Sequence, residues 1–213
     1  MINVIDAGHG FPDTGATYEN PDGSVILERN KAFAIAIKVH EILTAHKVSS
    51  CLIRQDNETP FSNSMRLKFA EVNASDIQSW TAIHLNSVKD PKANGAEILV
   101  LKHSIIESRE LASDIAYHYR QLKDDSGKPL FKWRGIKEVT GKKVWDDEKE
   151  EFVWKGDRWS EMAYKYNLSL IPTCLIETFF LSNKKDRGNG LSRLDDIANT
   201  IAQGIIKFNE RTQ

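Results

Sequence analysis

The chain has 213 residues and a mass of 24.2 kDa, which is long enough for one well-buried core and short for two domains. Hydrophobic residues make up 40% and charged residues 28%, and the formal net charge is −1. This composition is typical of a soluble globular protein and gives no overall attraction for nucleic acid or an anionic membrane. We therefore expect one domain over residues 1–213, no nucleic-acid partner and no membrane insertion.

The amino terminus and the cysteines bear on the compartment. Residues 1–6 lack the basic, apolar and small-residue segments of a signal peptide, so we expect synthesis in the cytoplasm. Cys51 and Cys174 each lie in an apolar, strand-like run and belong to no C-x-x-C pair. We interpret both as buried free thiols, with a role as metal ligand or nucleophile as the alternative.

Apolar runs and helical periodicities alternate through the first third of the chain. The pattern predicts, in order, a strand over residues 2–6, a long loop over 8–23, a helix from 28 to about 47, a strand over 48–53 and a helix over 63–73. The first helix carries an apolar stripe of Ala32, Ile35, Val39 and Ile42. Because Glu28 begins this stripe, we expect it to face the sheet near the end of the first strand.

The alternation continues in the rest of the chain. We predict a strand over residues 77–83 that ends at His84, a strand over 97–101, a helix over about 105–122, a strand over 173–176 that ends at Glu177, and a closing helix near 194–208. Strands that alternate with helices predict an α/β fold. In such a fold a mostly parallel, twisted sheet is covered by helices on both faces.

Residues from about 123 to 158 interrupt this alternation, and we predict that they form an insertion into the domain. Two apolar stretches at 142–145 and 152–154 flank the acidic run 146–151, which predicts a hairpin with a solvated tip. Trp145 and Trp154 have two interpretations. They grip the glycan or peptide of a substrate, or they form the hairpin's own small core with Val144 and Phe152.

Two histidines follow apolar runs. His9 and His84 each stand where a predicted parallel strand stops. The carboxyl ends of parallel strands are where α/β folds gather their chemistry. A single loop histidine is more often a capping or surface group, but two at equivalent edges favour a metal site. Zinc prefers imidazole and carboxylate ligands, and a catalytic zinc keeps one position open for water or substrate.

Two glutamates stand at similar edges. Glu28 is either a metal ligand or a first-turn carboxylate that the helix dipole stabilises by roughly 0.3–1 kcal/mol. Glu177 directly follows the apolar run 171–176, and a carboxylate at a buried strand end needs a partner or a chemical role. Moving protons during hydrolysis would be such a role.

Four short elements follow one another in a recognisable order. They are D-A-G-H-G at 6–10 with D-T-G-A at 13–16, E-R-N at 28–30, A-I-H-L-N at 82–86, and P-T-C-L-I-E-T-F-F-L-S-N at 172–183. The chain thereby resembles the zinc-dependent N-acetylmuramoyl-L-alanine amidases of the third amidase family, found in bacterial cell-wall hydrolases (autolysins) and phage endolysins. That family has D-P-G-H-G-G, a helix-opening glutamate, S-I-H-x-N and P-x-x-L-x-E-x-G-F-L-S-N. The resemblance covers nearly the whole chain except about 123–158.

The resemblance implies specific roles. His9, Glu28 and His84 would be zinc ligands, Glu177 the catalytic carboxylate, and Asn86 a residue that orients substrate or braces a ligand. The implied reaction is hydrolysis of the amide between N-acetylmuramic acid and L-alanine, with Zn²⁺ as cofactor and peptidoglycan or a muropeptide as substrate. We expect a monomer that reaches the cell wall by phage lysis or non-classical release.

One departure from the family pattern bears on the cleft. Phe179 stands where the family has glycine, which predicts a different path for the following loop or a narrower cleft.

Two other functions are compatible with the same residues. A zinc peptidase with this ligand set would cut within the stem peptide, and a non-catalytic module would bind the wall. A third interpretation, a phosphate-binding glycine loop over residues 6–15, is weak because the stretch lacks both G-K-[ST] and G-x-G-x-x-G.

Overall fold

The computed structural model describes residues 1–140, 142–146, 151–155 and 170–212. The strands described are β1 Ile2–Ala7, β2 Thr17–Glu19, β3 Val25–Leu27, β4 Ser50–Leu52, β5 Ile77–Asn86, β6 Ala96–Leu101, β7 Trp133–Val139, β8 Lys142–Asp146, β9 Glu151–Lys155 and β10 Thr173–Phe180. The α-helices are α1 Glu28–Ala45, α2 Asn63–Asn73, α3 Ile106–Tyr119, α4 Lys184–Ser192 and α5 Leu194–Thr212.

The main sheet has six strands in the order β4-β1-β5-β10-β6-β7. Each neighbouring pair is parallel except β10 with β6, which is antiparallel. The predicted α/β class with a mostly parallel sheet is therefore confirmed. Because β1, β5 and β10 run side by side in the same direction, their carboxyl ends meet at one edge of the sheet.

The two faces of the sheet are buried by different helices. Ile5, Ile83 and Ile176 lie in a core cluster with apolar residues of α1, α3 and α5. Val4, Trp80 and Leu175 lie in a second cluster that includes Ala70 and Phe69 of α2. Since successive side chains of a strand point to opposite faces, Asp6, His84 and Glu177 belong to the face covered by α2.

Two strands extend further than the sequence predicted. The predicted ends at His84 and Glu177 are wrong, because β5 continues to Asn86 and β10 to Phe180. Backbone pairing sets the end of a strand, and a polar side chain on one face of the sheet does not interrupt that pairing. His84 and Glu177 therefore lie within strands, where their backbones are held on both sides.

Several elements were absent from the prediction. The hairpin β2–β3 lies partly inside the predicted loop 8–23, and β7 lies inside the segment said to interrupt the alternation. Strand β7 joins the edge of the main sheet, and its half-exposed residues include charges of both signs, which weaken the apolar signal. Helix α4 has no apolar stripe, although its cap Asn183 accepts hydrogen bonds from the amides of Lys185 and Asp186.

Phe179 does not narrow the cleft. Its side chain is fully buried on the face opposite Glu177, because the register of β10 with β5 shifts between Glu177 and Phe180 and interrupts the strict alternation. There the ring of Phe179 stacks on that of Phe131, with centroids 5.9 Å apart. A β-carbon at Gly190 would lie 2.5 Å from the Phe179 ring, so α4 packs closely over it. The prediction of a narrower cleft is wrong because this position points into the core.

Strands β8 and β9 form the predicted antiparallel hairpin. The register pairs Trp145 with Phe152, Val144 with Val153, and Lys143 with Trp154. The tip and the side chains of this hairpin lie outside the described residues, so both interpretations of the tryptophans stay predictions. The insertion at 123–158 also stays a prediction.

Two further expectations from the sequence concern the thiols and membrane-spanning segments. Cys51 and Cys174 are both free, with Cys174 buried and Cys51 only half-buried. Burial raises the pKa of the Cys174 thiol to about 12. In the described part of the chain, every helix is too short or too polar to cross a bilayer.

Candidate metal centre

Three side chains from separate elements meet at the carboxyl edge of the sheet. His9 lies in the loop after β1, Glu28 is the first residue of α1, and His84 is in β5. One potential ligand atom from each lies within 4.8 Å of the other two. The structure therefore brings together the three residues that the sequence singled out as metal ligands.

Glu28 is the centre of this cluster. Its Oε1 lies 3.1 Å from His9 Nε2 and 3.1 Å from His84 Nδ1. The amide of Leu85 donates to the same oxygen at 2.9 Å, and the amide of Ala16 donates to Oε2 at 2.8 Å. These contacts join the carboxylate to β5 and to the loop after β1. A carboxylate stabilised only by the helix dipole would not need these additional partners.

The second nitrogen of His9 is also engaged. His9 Nδ1 lies 3.0 Å from Asp13 Oδ2, which leaves Nε2 directed at Glu28. A carboxylate on the far nitrogen is a common way to orient an imidazole toward a metal. Gly15 makes room for this arrangement, because a β-carbon there would lie 2.5 Å from His9 Cδ2 and 2.7 Å from Glu28 Oε2.

Contacts within the cluster shift the pKa values of Glu28 and His9. Burial disfavours the charged form of Glu28, but hydrogen bonds and charge interactions with His84 and His9 outweigh it and hold its pKa well below the usual range. Burial likewise disfavours imidazolium at His9, but Glu28 and Asp13 outweigh it and raise its pKa. Glu28 is therefore an anion at neutral pH, which is the form that binds a cation.

Glu177 lies beside the cluster. It pairs in register with His84 on the neighbouring strand. Its Oε2 is inaccessible to solvent and has no hydrogen-bond partner among the described residues. Burial, with smaller contributions from Glu28 and Glu97, raises the pKa of Glu177 to about 8. A carboxyl with a pKa near neutrality can both accept and donate a proton.

Asn86 lies at the end of β5 and lines the same cavity. Its Nδ2 donates to Glu97 Oε1 at 3.2 Å. Glu97 sits opposite Glu177 in register, and its Oε2 lies 2.5 Å from both Arg134 Nε and Lys137 Nζ. Burial opposes ionisation of Glu97, but the two cations outweigh it and lower its pKa. This ion-pair cluster fixes the orientation of the Asn86 amide.

The cluster opens into a cavity of about 420 Å³. Its walls combine the three candidate ligands with Glu177, Asn86 and the apolar side chains of Leu99 and Leu175. The polar side chains of Asp6, Asp13, Asn63 and Arg66 also line it. A volume of this order is typical of a pocket that binds a small molecule or a segment of comparable size.

Sequence reasoning assigned no role to several residues of the site. Asp13 lies in the first of the four elements that resemble the amidase family, whereas Arg66 and Glu97 lie outside all four, and spacing alone gave none of the three a partner. Arg66 and Glu97 have partners far away in the sequence, such as Asp6, which lies 2.9 Å from Arg66. Of the three, the contact of Asp13 was the easiest to predict from the sequence, because a carboxylate four residues after a histidine is within reach of its ring.

The fold and the cluster define a candidate metal-dependent hydrolase of the α/β class. A family profile described as N-acetylmuramoyl-L-alanine amidase, the third amidase family, matches residues 4–207. The chain belongs to this family. The resemblance stated from the sequence, the fold class and the assignment as an amidase are thus confirmed.

Relatives and solved structures agree with this assignment. The chain is 27% identical to N-acetylmuramoyl-L-alanine amidase AmiA of Escherichia coli K12, in an alignment that covers 97% of this chain and 75% of that one. It is 25% identical to the amidase AmiC2 of Nostoc punctiforme, with a TM-score of 0.71 and coverage of 99% and 97%. An amidase from Clostridium difficile 630, 24% identical, shares the fold with a TM-score of 0.73 over 98% and 96% of the chains.

Proposed function

We propose that this protein hydrolyses the amide bond between N-acetylmuramic acid and L-alanine in peptidoglycan with the help of a zinc ion. In this proposal His9, Glu28 and His84 bind the zinc and Glu177 is the catalytic carboxylate. The observation that carries it is the convergence of the three donors beside a buried carboxylate oxygen that has no hydrogen-bond partner within the described part of the chain.

The donor set fits zinc. Two imidazoles and one carboxylate are a common ligand set of catalytic zinc. The separations from Glu28 Oε1 to His9 Nε2 and to His84 Nδ1 are both 3.1 Å. When bound, zinc would polarise the scissile carbonyl and lower the pKa of a water to about 7.

Glu177 would move the proton. In the anionic form it accepts the proton of the attacking water, and it then donates that proton to the amine of the leaving L-alanine. A divalent cation at the neighbouring donors favours the anionic form and so lowers the pKa of Glu177 from its raised value. The apolar side chains of Leu99 and Leu175 in the wall limit water around this carboxylate.

Asn86 would orient the substrate. Its amide lines the cavity and is held by Glu97, so it presents a fixed polar group near Glu177. We propose that it contacts the peptide part of the substrate. The finer expectations of a monomer and of release by phage lysis or a non-classical route belong to this proposal as well.

Digestion of purified peptidoglycan tests the function directly. We expect release of intact stem peptides with new L-alanine amino termini, loss of turnover with a chelator and recovery with Zn²⁺. Glu177→Gln should lose about 10²-fold or more of the turnover while its zinc content stays at one ion per chain, and Glu71→Gln on the exposed side of α2 should behave as wild type.

Other outcomes would each contradict a part of this proposal. Fragments cut within the stem peptide would show a peptidase instead, and binding to the wall without any product would show a non-catalytic module. A fully active Glu177→Gln would remove this residue from its role, and full activity in chelator would remove the metal.

A further inference from the structure

The backbone that carries His9 adopts an unusual conformation. His9 has φ of +62°, in the left-handed region that residues with a β-carbon rarely occupy. The two flanking glycines allow the chain to turn at this point, but they do not themselves hold it there. Contacts from other parts of the chain must therefore hold the backbone of residues 7–9 in this conformation.

Arg66 of α2 is the first of two groups that do so. It is buried, and its Nε lies 2.9 Å from Asp6 Oδ1 and 3.1 Å from Oδ2. Its Nη2 donates to the carbonyl oxygens of Ala7 at 3.0 Å and of His9 at 2.5 Å. One guanidinium thus joins the end of β1 to the peptide that follows His9.

Arg54, which follows β4, is the second group. It is also buried, and it donates from Nε to Ala7 O at 3.3 Å and from Nη2 to Gly8 O at 3.4 Å. Nη2 also donates to Arg29 O at 2.7 Å, one residue beyond Glu28. Arg54 therefore joins the His9 loop to the beginning of α1.

We propose that Arg66, assisted by Arg54, is a positioning residue of the metal centre. The two guanidinium groups bind the carbonyl oxygens of three successive residues and so hold His9 in its left-handed conformation with Nε2 facing Glu28. This inference rests on the proposed function, since it concerns a zinc ion bound by His9.

The alternative is a plain ion pair that stabilises the fold. An ion pair with Asp6 requires only a positive charge, whereas the carbonyl contacts require the several donors and rigid plane of a guanidinium. Arg66→Lys keeps the charge and loses the geometry. If Arg66 serves only to neutralise Asp6, lysine should restore full function of the site.

The experiment measures the affinity of Zn²⁺ alone by competition with a chromophoric chelator. It compares the wild type, Arg66→Lys, Arg54→Lys and the control Arg109→Lys, whose arginine pairs with Glu138 on the surface. We expect zinc binding to be about 10-fold or more weaker in Arg66→Lys, about 3-fold weaker in Arg54→Lys and unchanged in the control. The melting temperature of the metal-free Arg66→Lys protein should change much less than in Arg66→Gln.

The results separate the two proposals. Zinc affinity in Arg66→Lys within about twofold of wild type would overturn the positioning role. If Arg66→Lys does not fold, the decision passes to Arg54→Lys, and equal affinity there would overturn the role. A wild-type protein that binds no zinc would instead contradict the proposed function.

A metal-free measurement tests the positioning role independently of zinc. The ring resonances of His9 in NMR spectra should form one set in the wild type. In Arg66→Lys they should show several conformations, while those of the exposed His46 stay unchanged. A single unshifted His9 set in Arg66→Lys would contradict the inference.

Discussion

Gly15 illustrates how a single residue without a side chain contributes to the site. Its φ is +64°, and a β-carbon would lie within 2.7 Å of atoms of both His9 and Glu28. Real β-carbons do not approach other atoms so closely. The absence of a side chain at this position therefore lets the loop lie against the two candidate ligands.

Gly15→Ala is expected to damage the metal centre specifically. Gly23 is the matched control, because its φ of +82° imposes a similar backbone strain and nothing lies within 4 Å of its β-carbon position. Gly23→Ala should cost about 1 kcal/mol of unfolding free energy and leave zinc affinity unchanged. Gly15→Ala should cost more and weaken zinc binding by about 10-fold or more, as measured by chelator competition. Equal effects of the two substitutions would contradict this.

Glu177 links function to stability through its ionisation. Its folded-state pKa is about 8, against an ordinary value near 4.5. Between these values the unfolded chain is ionised at this position and the folded protein binds a proton. The folded state thus loses stability as the pH rises through this window, and the cost is fully present above it.

Glu177→Gln should therefore stabilise the metal-free protein at high pH. The test compares the melting temperatures of the variant and the wild type in the presence of a chelator. The difference, variant minus wild type, should be larger by about 3 °C or more at about pH 9 than at about pH 5. Glu71→Gln, on an exposed position, should show no such trend. The idea fails if the difference between variant and wild type does not depend on pH.

At the scale of elements, α3 and α5 approach each other closely at one point. A β-carbon at Gly204 of α5 would lie 2.4 Å from Ile115 Cα and 2.6 Å from its amide nitrogen, both backbone atoms of α3. Backbone cannot move aside as a flexible side chain can. Gly204 therefore sets the distance between the two helices that, with α1, cover one face of the sheet.

Gly204→Ala is expected to destabilise the protein although alanine is the better helix former. Pushing the two helices apart should cost about 1–3 kcal/mol, or several degrees in melting temperature. Gly188→Ala, at an exposed position of α4 with open space around it, should be neutral or stabilise by up to about 1 kcal/mol. Thermal unfolding of both variants measures the two changes in melting temperature. Equal changes would show that α3 and α5 can move apart without loss of stability.

At the scale of the whole molecule, the candidate metal centre ties together three distant parts of the chain. His9, Glu28 and His84 come from the loop after β1, from α1 and from β5. A ligand that binds only the folded state stabilises it by about 2.7 kcal/mol when its concentration is 100 times the dissociation constant. Zinc at such a concentration should therefore raise the melting temperature by about 5–10 °C.

Removal of the ligands should abolish this shift. The double variant His9→Ala/His84→Ala is expected to melt at the same temperature with and without Zn²⁺. His46→Ala, at an exposed position at the end of α1, should keep the full shift. A zinc-dependent shift that survives in the double variant would place the ion elsewhere.

Local sequence patterns were enough for much of the fold. The bounds of α2 were predicted to the residue, and the main strands and long helices to within a few residues, because apolar periodicity reflects the face that each element buries. Strand β7 and helix α4 were absent from the prediction. Their burial depends on neighbours far away in the sequence, so their own residues carry a weak signal.

The candidate site shows the same division. The sequence by itself singled out His9, Glu28, His84 and Glu177, because strand and helix periods predict which residues share a face. Only the tertiary structure decided the distant partners: the two arginines on the carbonyls of residues 7–9, and the packing of Phe179 in the core. Hydrogen bonds and close packing between residues distant in sequence depend on how the elements are assembled, and no local period encodes that assembly.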